Sequence, residues 1–158
     1  MADGKFEKYS KLYPDIRLER HSGLLEVTFG VGRNLVWTPN TRSQVASLFK
    51  DISTDSHNKV VMITGFGGKF WEDTEKEEGS VKPLSDWRTE GLLELLLRIP
   101  VPVIAAINGP VRQYCELPLL SDIVLATEGV SFQEPQSGYF QSISDREGRR
   151  LAVHNLLG

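Results

Sequence analysis

Pro102-Val103-Ile104-Ala105-Ala106-Ile107-Asn108-Gly109-Pro110 is the stretch on which the fold turns. Its apolar run from Val103 to Ile107, bounded by Pro102 and the Asn108-Gly109-Pro110 turn, predicts a strand buried on both faces, as in a parallel sheet. The turn would deliver the chain into a helix with Pro110 near its first position, which Pro118 should shorten or kink. Val60-Val61-Met62-Ile63-Thr64, closed by Gly65, Gly67 and Gly68, reads as another strand of that kind. Asp122 opens a third over Ile123 to Ala126, and Thr127-Glu128-Gly129 turns it into Val130-Ser131-Phe132.

Before these runs, Ile16 and Leu18, then Leu25, Val27 and Phe29, alternate with polar residues around His21-Ser22-Gly23 and predict a β-hairpin with one wet face. The ten residues ahead of it are polar and read as loose. A Gly-rich turn at Gly30 to Asn34 leads to a helix, with Thr41 and Gln44 at capping-box spacing ahead of Val45, Leu48, Phe49 and Ile52. Ser85 would cap a further helix with the stripe Leu92, Leu95, Leu96 and Ile99, stopped by Pro100 and Pro102. Ser144 and Glu147 would cap a last one. Strands alternating with helices after an opening hairpin define an α/β fold, and 158 residues predict a single domain over 1–158.

Composition narrows the function. Apolar residues make up 40% and charged residues 25%, enough for a packed core. A net charge of -3 argues against gripping nucleic-acid phosphates. The single cysteine, Cys115, forms no internal disulfide and points to a reducing compartment. No run reaches the length of a membrane span and the start has no signal-like apolar core, so a cytoplasmic location is expected. No His pair has metal spacing, and no cofactor or metal is expected.

The stretch from Pro102 to Pro110, with Cys115-Glu116-Leu117 and Ser121-Asp122-Ile123, resembles the central signature of the crotonase (enoyl-CoA hydratase/isomerase) superfamily. Val60 to Gly65 with Gly68-Lys69-Phe70 looks like that family's strand into its first oxyanion loop. Phe132-Gln133-Glu134-Pro135 looks like its second catalytic strand and turn. The likeness runs from about Ile16 to Gly158. Leu35-Val36-Trp37-Thr38, Asn108-Gly109-Pro110-Val111 and Leu117-Pro118 are most similar to the β-diketone hydrolases of the 6-oxocamphor hydrolase type. The resemblance implies the N-terminal part of a crotonase-like ββα spiral. Subunits of that family continue into a helical region that closes the site and builds a trimer; a chain ending at Gly158 is expected to lack it and to self-associate by another route.

The same resemblance implies an oxyanion hole, two backbone N–H groups that hold a developing enolate oxygen. Its donors would be the Glu72 and Gln113 amides. Departures from the family are equally informative. Arg112-Gln113-Tyr114 stands where CoA-dependent members commonly have glycines, so a small carbonyl substrate is favoured over a CoA thioester. The hydratase acid pair would fall on Glu116 and Gln136, and glutamine exchanges no proton near neutrality. The histidines and aspartate of the diketone hydrolases would fall on Arg42, Tyr114 and Glu147. His21, His57 and His154 lie elsewhere and read as surface residues.

Glu116 and Glu147 are therefore the proton-transfer candidates and Tyr114 a carbonyl partner. Each has a plainer reading: Glu116 as a helix-end carboxylate, Tyr114 as a packed aromatic. Cys115 reads as a small buried residue, and the five acids and one lysine between Glu72 and Glu78 as a solvated loop. The sequence leaves three functions open: a C–C hydrolase of β-diketones, a non-catalytic crotonase-fold scaffold, and an enoyl-CoA hydratase or isomerase.

Overall fold

The structure, a computed structural model, describes residues 4–71, 91–111 and 114–132. Within them, α1 is Gly4–Tyr9, β1 Ile16–His21, β2 Leu24–Phe29, α2 Pro39–Ser53, β3 Val60–Gly65, α3 Leu92–Leu97, β4 Val103–Ile107, α4 Glu116–Leu119 and β5 Ile123–Ala126.

The five strands form one sheet in sequence order. β1 and β2 pair antiparallel, Ile16 opposite Phe29 and His21 opposite Leu24. β2–β3, β3–β4 and β4–β5 are all parallel, with Leu25 opposite Val61, Val61 opposite Val103 and Ala105 opposite Val124. The parallel pairs need crossovers, which include α2 between β2 and β3 and α3 between β3 and β4. One sheet face collects Leu25, Val27, Val61, Ile63, Val103, Ala105 and Ile107, and α2 contributes Val45, Leu48, Phe49 and Ile52 to the same core.

Several expectations change on contact with tertiary structure. β3 and β4 alternate buried with half-buried residues, so one face is better covered than the other. In the hairpin only β1 keeps a wet face; β2, flanked by two strands, is mostly buried. The polar start is ordered from Gly4 as α1, because Tyr9 is buried and Phe6 sits under the Arg20 guanidinium, 4.4 Å from its ring centre.

Helix α2 starts one turn earlier than expected. Thr38 is the N-cap: its hydroxyl accepts from the Thr41 backbone N–H at 3.1 Å, and the Thr41 hydroxyl accepts from the Thr38 N–H at 2.8 Å. Pro39 occupies the first turn, where its missing N–H is harmless. Gln44 instead braces Asp15, donating from Nε2 to Oδ2 at 2.7 Å. Pro110 does not open a helix: Val111 bridges Phe132, and the helix begins only at Glu116. The expected Ser85, Ser144 and Glu147 caps lie outside the described residues.

Candidate active site

The carboxyl ends of β3 and β4 carry the two turns on which the site is built, and glycine lets them touch. A Cβ on Gly109 would collide with the Gly68 carbonyl oxygen, and one on Gly65 with the carbonyls of Lys69 and Phe70. Asn108 locks the approach, donating from Nδ2 to the carbonyls of Gly65 at 2.8 Å and Gly67 at 2.7 Å.

From this junction the chain leads into an aromatic cluster. Phe29, Phe70, Trp71 and Trp37 meet edge to face, with Trp71 and Trp37 centres 5.1 Å apart. Tyr114 extends it, its ring 5.0 Å from Trp37. Tyr114 has a φ of +50°, in the left-handed region that a bulky residue seldom takes. That conformation turns the chain into α4 and presents the ring to Trp37.

Glu116, the first residue of α4, is 3% exposed. Burial pushes its carboxyl above the ordinary range, against an opposing hydrogen bond from its own backbone amide. Burial thus disfavours the charged form of this carboxyl relative to an exposed glutamate. Burial likewise pushes the Cys115 thiol up to about 12, with the Glu116 charge adding to it. Cys115 is thus a packing residue with little thiolate.

A small cavity of about 10 Å³ is lined by Trp37, Arg42, Leu92, Tyr114 and Leu117. That is room for about one water molecule. Arg42 and Tyr114, which sequence placed at two positions of the diketone-hydrolase set, thus meet on one wall. Glu116 lies between two lining residues in sequence. Glu72, Gln113, Glu147 and Gln136 lie outside the described residues, as do Arg112 and His154. His21 and His57 are exposed, away from the cavity lining.

Sequence reasoning passed over Trp37 as a polar residue. Its Nε1 is buried without an acceptor among the described residues, and so is Nε of Arg42. The signal was present in the spacing. With Thr38 as N-cap, Trp37 and Arg42 stand at the two positions flanking a capping box whose side chains pack together. Among the described residues, no cluster of three or more His, Cys, Asp or Glu could hold a metal ion, and no helix is long and apolar enough to cross a membrane.

No family model matches the chain. A carnitinyl-CoA dehydratase from Salmonella arizonae is 30% identical over 129 residues, covering 77% of this chain and 49% of the dehydratase. The chain thus spans about half the length of the curated relatives it matches. Among solved structures, a β-diketone hydrolase from the cyanobacterium Anabaena, bound to (S)-3-oxocyclohexyl acetic acid, superposes with a TM-score of 0.72 at 34% identity, over 80% of this chain and 54% of that one. An enoyl-CoA hydratase/carnithine racemase from Magnetospirillum magneticum, 22% identical, shares the fold alone with a TM-score of 0.69, over 95% of this chain and 64% of that one. Parallel strands meeting at a glycine-tight junction, together with these likenesses, place the chain in the crotonase superfamily.

Proposed function

We propose that the chain acts on a small compound with two carbonyls, cleaving the carbon–carbon bond between them by addition of water. The observation that carries this reading is Glu116, a buried carboxyl whose pKa is raised by desolvation, two residues after Tyr114 in the chain. Water adds to one carbonyl carbon and gives up a proton to Glu147. The bond to the central carbon then breaks, its electron pair passing into an enolate on the second carbonyl. The Glu72 and Gln113 amides hold the enolate oxygen, and Glu116 protonates the carbon. The products are a carboxylic acid and a ketone, joined in one molecule if the substrate is cyclic. The strained backbone at Tyr114 supports a functional role for that residue as carbonyl partner. The 34% identity to a β-diketone hydrolase supports the substrate class.

The test is turnover of a β-diketone panel, cyclohexane-1,3-dione among them, by wild type and Glu116→Gln. Glutamine keeps shape and loses the proton, so the rate should fall by about two to four powers of ten. No turnover by wild type would favour a second reading, a non-catalytic crotonase-fold protein, which the small size of the cavity supports. Micromolar binding of a short acyl-CoA in calorimetry would favour hydratase or isomerase chemistry instead. Self-association belongs to the same reading: Ile123 and Leu125 on β5, 49% and 57% exposed, would be covered by a second copy, and sedimentation at tens of micromolar checks it.

A further inference from the structure

We infer that the face of the sheet turned away from the core docks against the same face of a second copy, two chains stacking sheet on sheet about a two-fold axis. The contact rests on the self-association reading above, and not on turnover.

Strand register decides which residues lie on that face. Paired residues share a face, and the row Glu19, Glu26, Met62, Ile104 and Ile123 crosses all five strands. Two residues along the strands, Thr64, Ala106 and Leu125 share it. Met62, Ile104 and Ala106 are half-buried, whereas Ile123 and Leu125 are 49% and 57% exposed. Among the described residues, none of these apolar side chains is in the hydrophobic core or packed against it; the core takes their alternates, Val61, Ile63, Val103 and Ala105. Parallel strands normally have both faces covered, so this face calls for a second layer.

Charge chooses the layer. Arg17, Glu19 and Glu26 stand at the β1–β2 end, while on β3, β4 and β5 this face has no charged residue. An uncharged apolar patch is its own complement, as a contact between identical surfaces demands, because neither copy has to bury a charge. A two-fold axis lying over β4 and parallel to it sets β3 of each copy across from β5 of the other, with the sheets about 10 Å apart. The β1–β2 charges then overhang the overlap and stay in water, where a polar rim belongs. Three strands of four to six residues give an overlap of roughly 200–300 Å² per chain, at about 4.8 Å between strands and 3.3 Å per residue. A stable dimer buries about 800 Å² per partner, so this pair is a weak, reversible one.

Sedimentation equilibrium from about 5 to 200 micromolar reads the contact directly. Wild type should pass reversibly from monomer to dimer over that range, without a trimer. Leu125→Lys puts a charge into the overlap and should weaken the dimer about tenfold or more. Two controls, Leu97→Lys on α3, where the leucine is 54% exposed, and Glu19→Lys beyond the overlap, should each leave it within about twofold. Met62→Glu and Ile123→Lys should each be monomeric alone and pair when mixed, because β3 meets β5 across the axis. Thermal melts establish that each variant is folded. A wild type that is monomeric throughout the range or forms a trimer, a dimer untouched by Leu125→Lys or lost as readily in a control, or folded Met62→Glu and Ile123→Lys chains that stay apart when mixed, overturns the inference. A dimer untouched by Leu125→Lys would still leave self-association standing, on another surface. None of these results involves diketone turnover, so failure here and failure of the hydrolase reading are distinguishable.

Discussion

Asn108 is bonded through its amide nitrogen to the Gly65 carbonyl at 2.8 Å, joining the end of β4 to the end of β3 across the place where the site is built. The same nitrogen reaches Gly67 at 2.7 Å, so one side chain fixes both the strand end and the loop leaving it. Asn108→Ala leaves two carbonyls without their donor and should cost about 1–3 kcal/mol. Denaturant titration checks it: the midpoint should fall with the slope unchanged. A midpoint equal to wild type would show that the amide contributes nothing net.

Gly109 tests the same junction by volume. A methyl group there meets the Gly68 carbonyl oxygen, a backbone atom that cannot rotate away. Gly109→Ala should destabilise by about 1–3 kcal/mol through forced separation of the two turns. Gly68→Ala is the matched control, because its Cβ would meet open space. Equal melting temperatures for the two variants would contradict the close approach.

Much of this framework is legible in sequence because it depends on short-range pattern. The apolar runs at Val60 and Val103 and the four residues from Ile123 to Ala126 are strands at nearly the predicted bounds, since an unbroken apolar run between turn residues has few other uses. Helix α1 was not legible. Six residues carry no period, and what orders them comes from elsewhere in the chain: Arg20 over Phe6, and Asp55 accepting from the Tyr9 hydroxyl at 3.0 Å. The start of α2 was misplaced for a related reason. Thr41 and Gln44 match the usual capping-box pair, whereas the chain uses threonine at both positions, Thr38 and Thr41. That slip of one turn hid the placing of Trp37 and Arg42 on either side of the capping box. The burial of Glu116 was equally invisible, because a four-residue helix interrupted by Pro118 has no amphipathic signature.

Asp55 gives the fold an acid limit. Burial alone would raise its pKa, but the His57 backbone N–H, the Arg20 guanidinium and the Tyr9 hydroxyl together hold its carboxyl below the ordinary range. A carboxylate lowered in the folded state binds fewer protons folded than unfolded. Its stabilisation is present above the unfolded pKa and is lost as pH falls through the folded one. The melting temperature should therefore drop as pH is taken down from about 4, the unperturbed aspartate range. Asp55→Asn removes the carboxylate that Arg20 meets at 2.7 Å, and breaking such a buried pair costs about 3–5 kcal/mol. That loss should already be present at pH 7, with a flatter acid limb. An acid limb parallel to that of wild type would place the titration elsewhere.

Glu116 has the opposite sign, and this separates a proton-transfer residue from a simple structural carboxylate. Its pKa is raised by burial, so the folded state binds more protons than the unfolded chain between the two values. The stabilising effect is complete below the unfolded pKa and is lost as pH rises through the folded one. Above that range the native fold carries a carboxylate whose charge burial disfavours. Glu116→Gln is neutral at every pH and nearly isosteric. It should melt at the same temperature as wild type near pH 4 and at a higher one near pH 8, while diketone turnover falls by about two to four powers of ten. Greater stability with lower activity is the signature of a residue retained for its proton rather than for the fold. A carboxylate that merely favours the start of α4 predicts the reverse, a variant that is less stable by about 1 kcal/mol or less at neutral pH and kinetically silent. Scanning calorimetry across pH 4 to 8 on both proteins, beside the turnover assay, decides between them: a glutamine variant less stable at pH 8 than wild type would remove the buried-acid assignment.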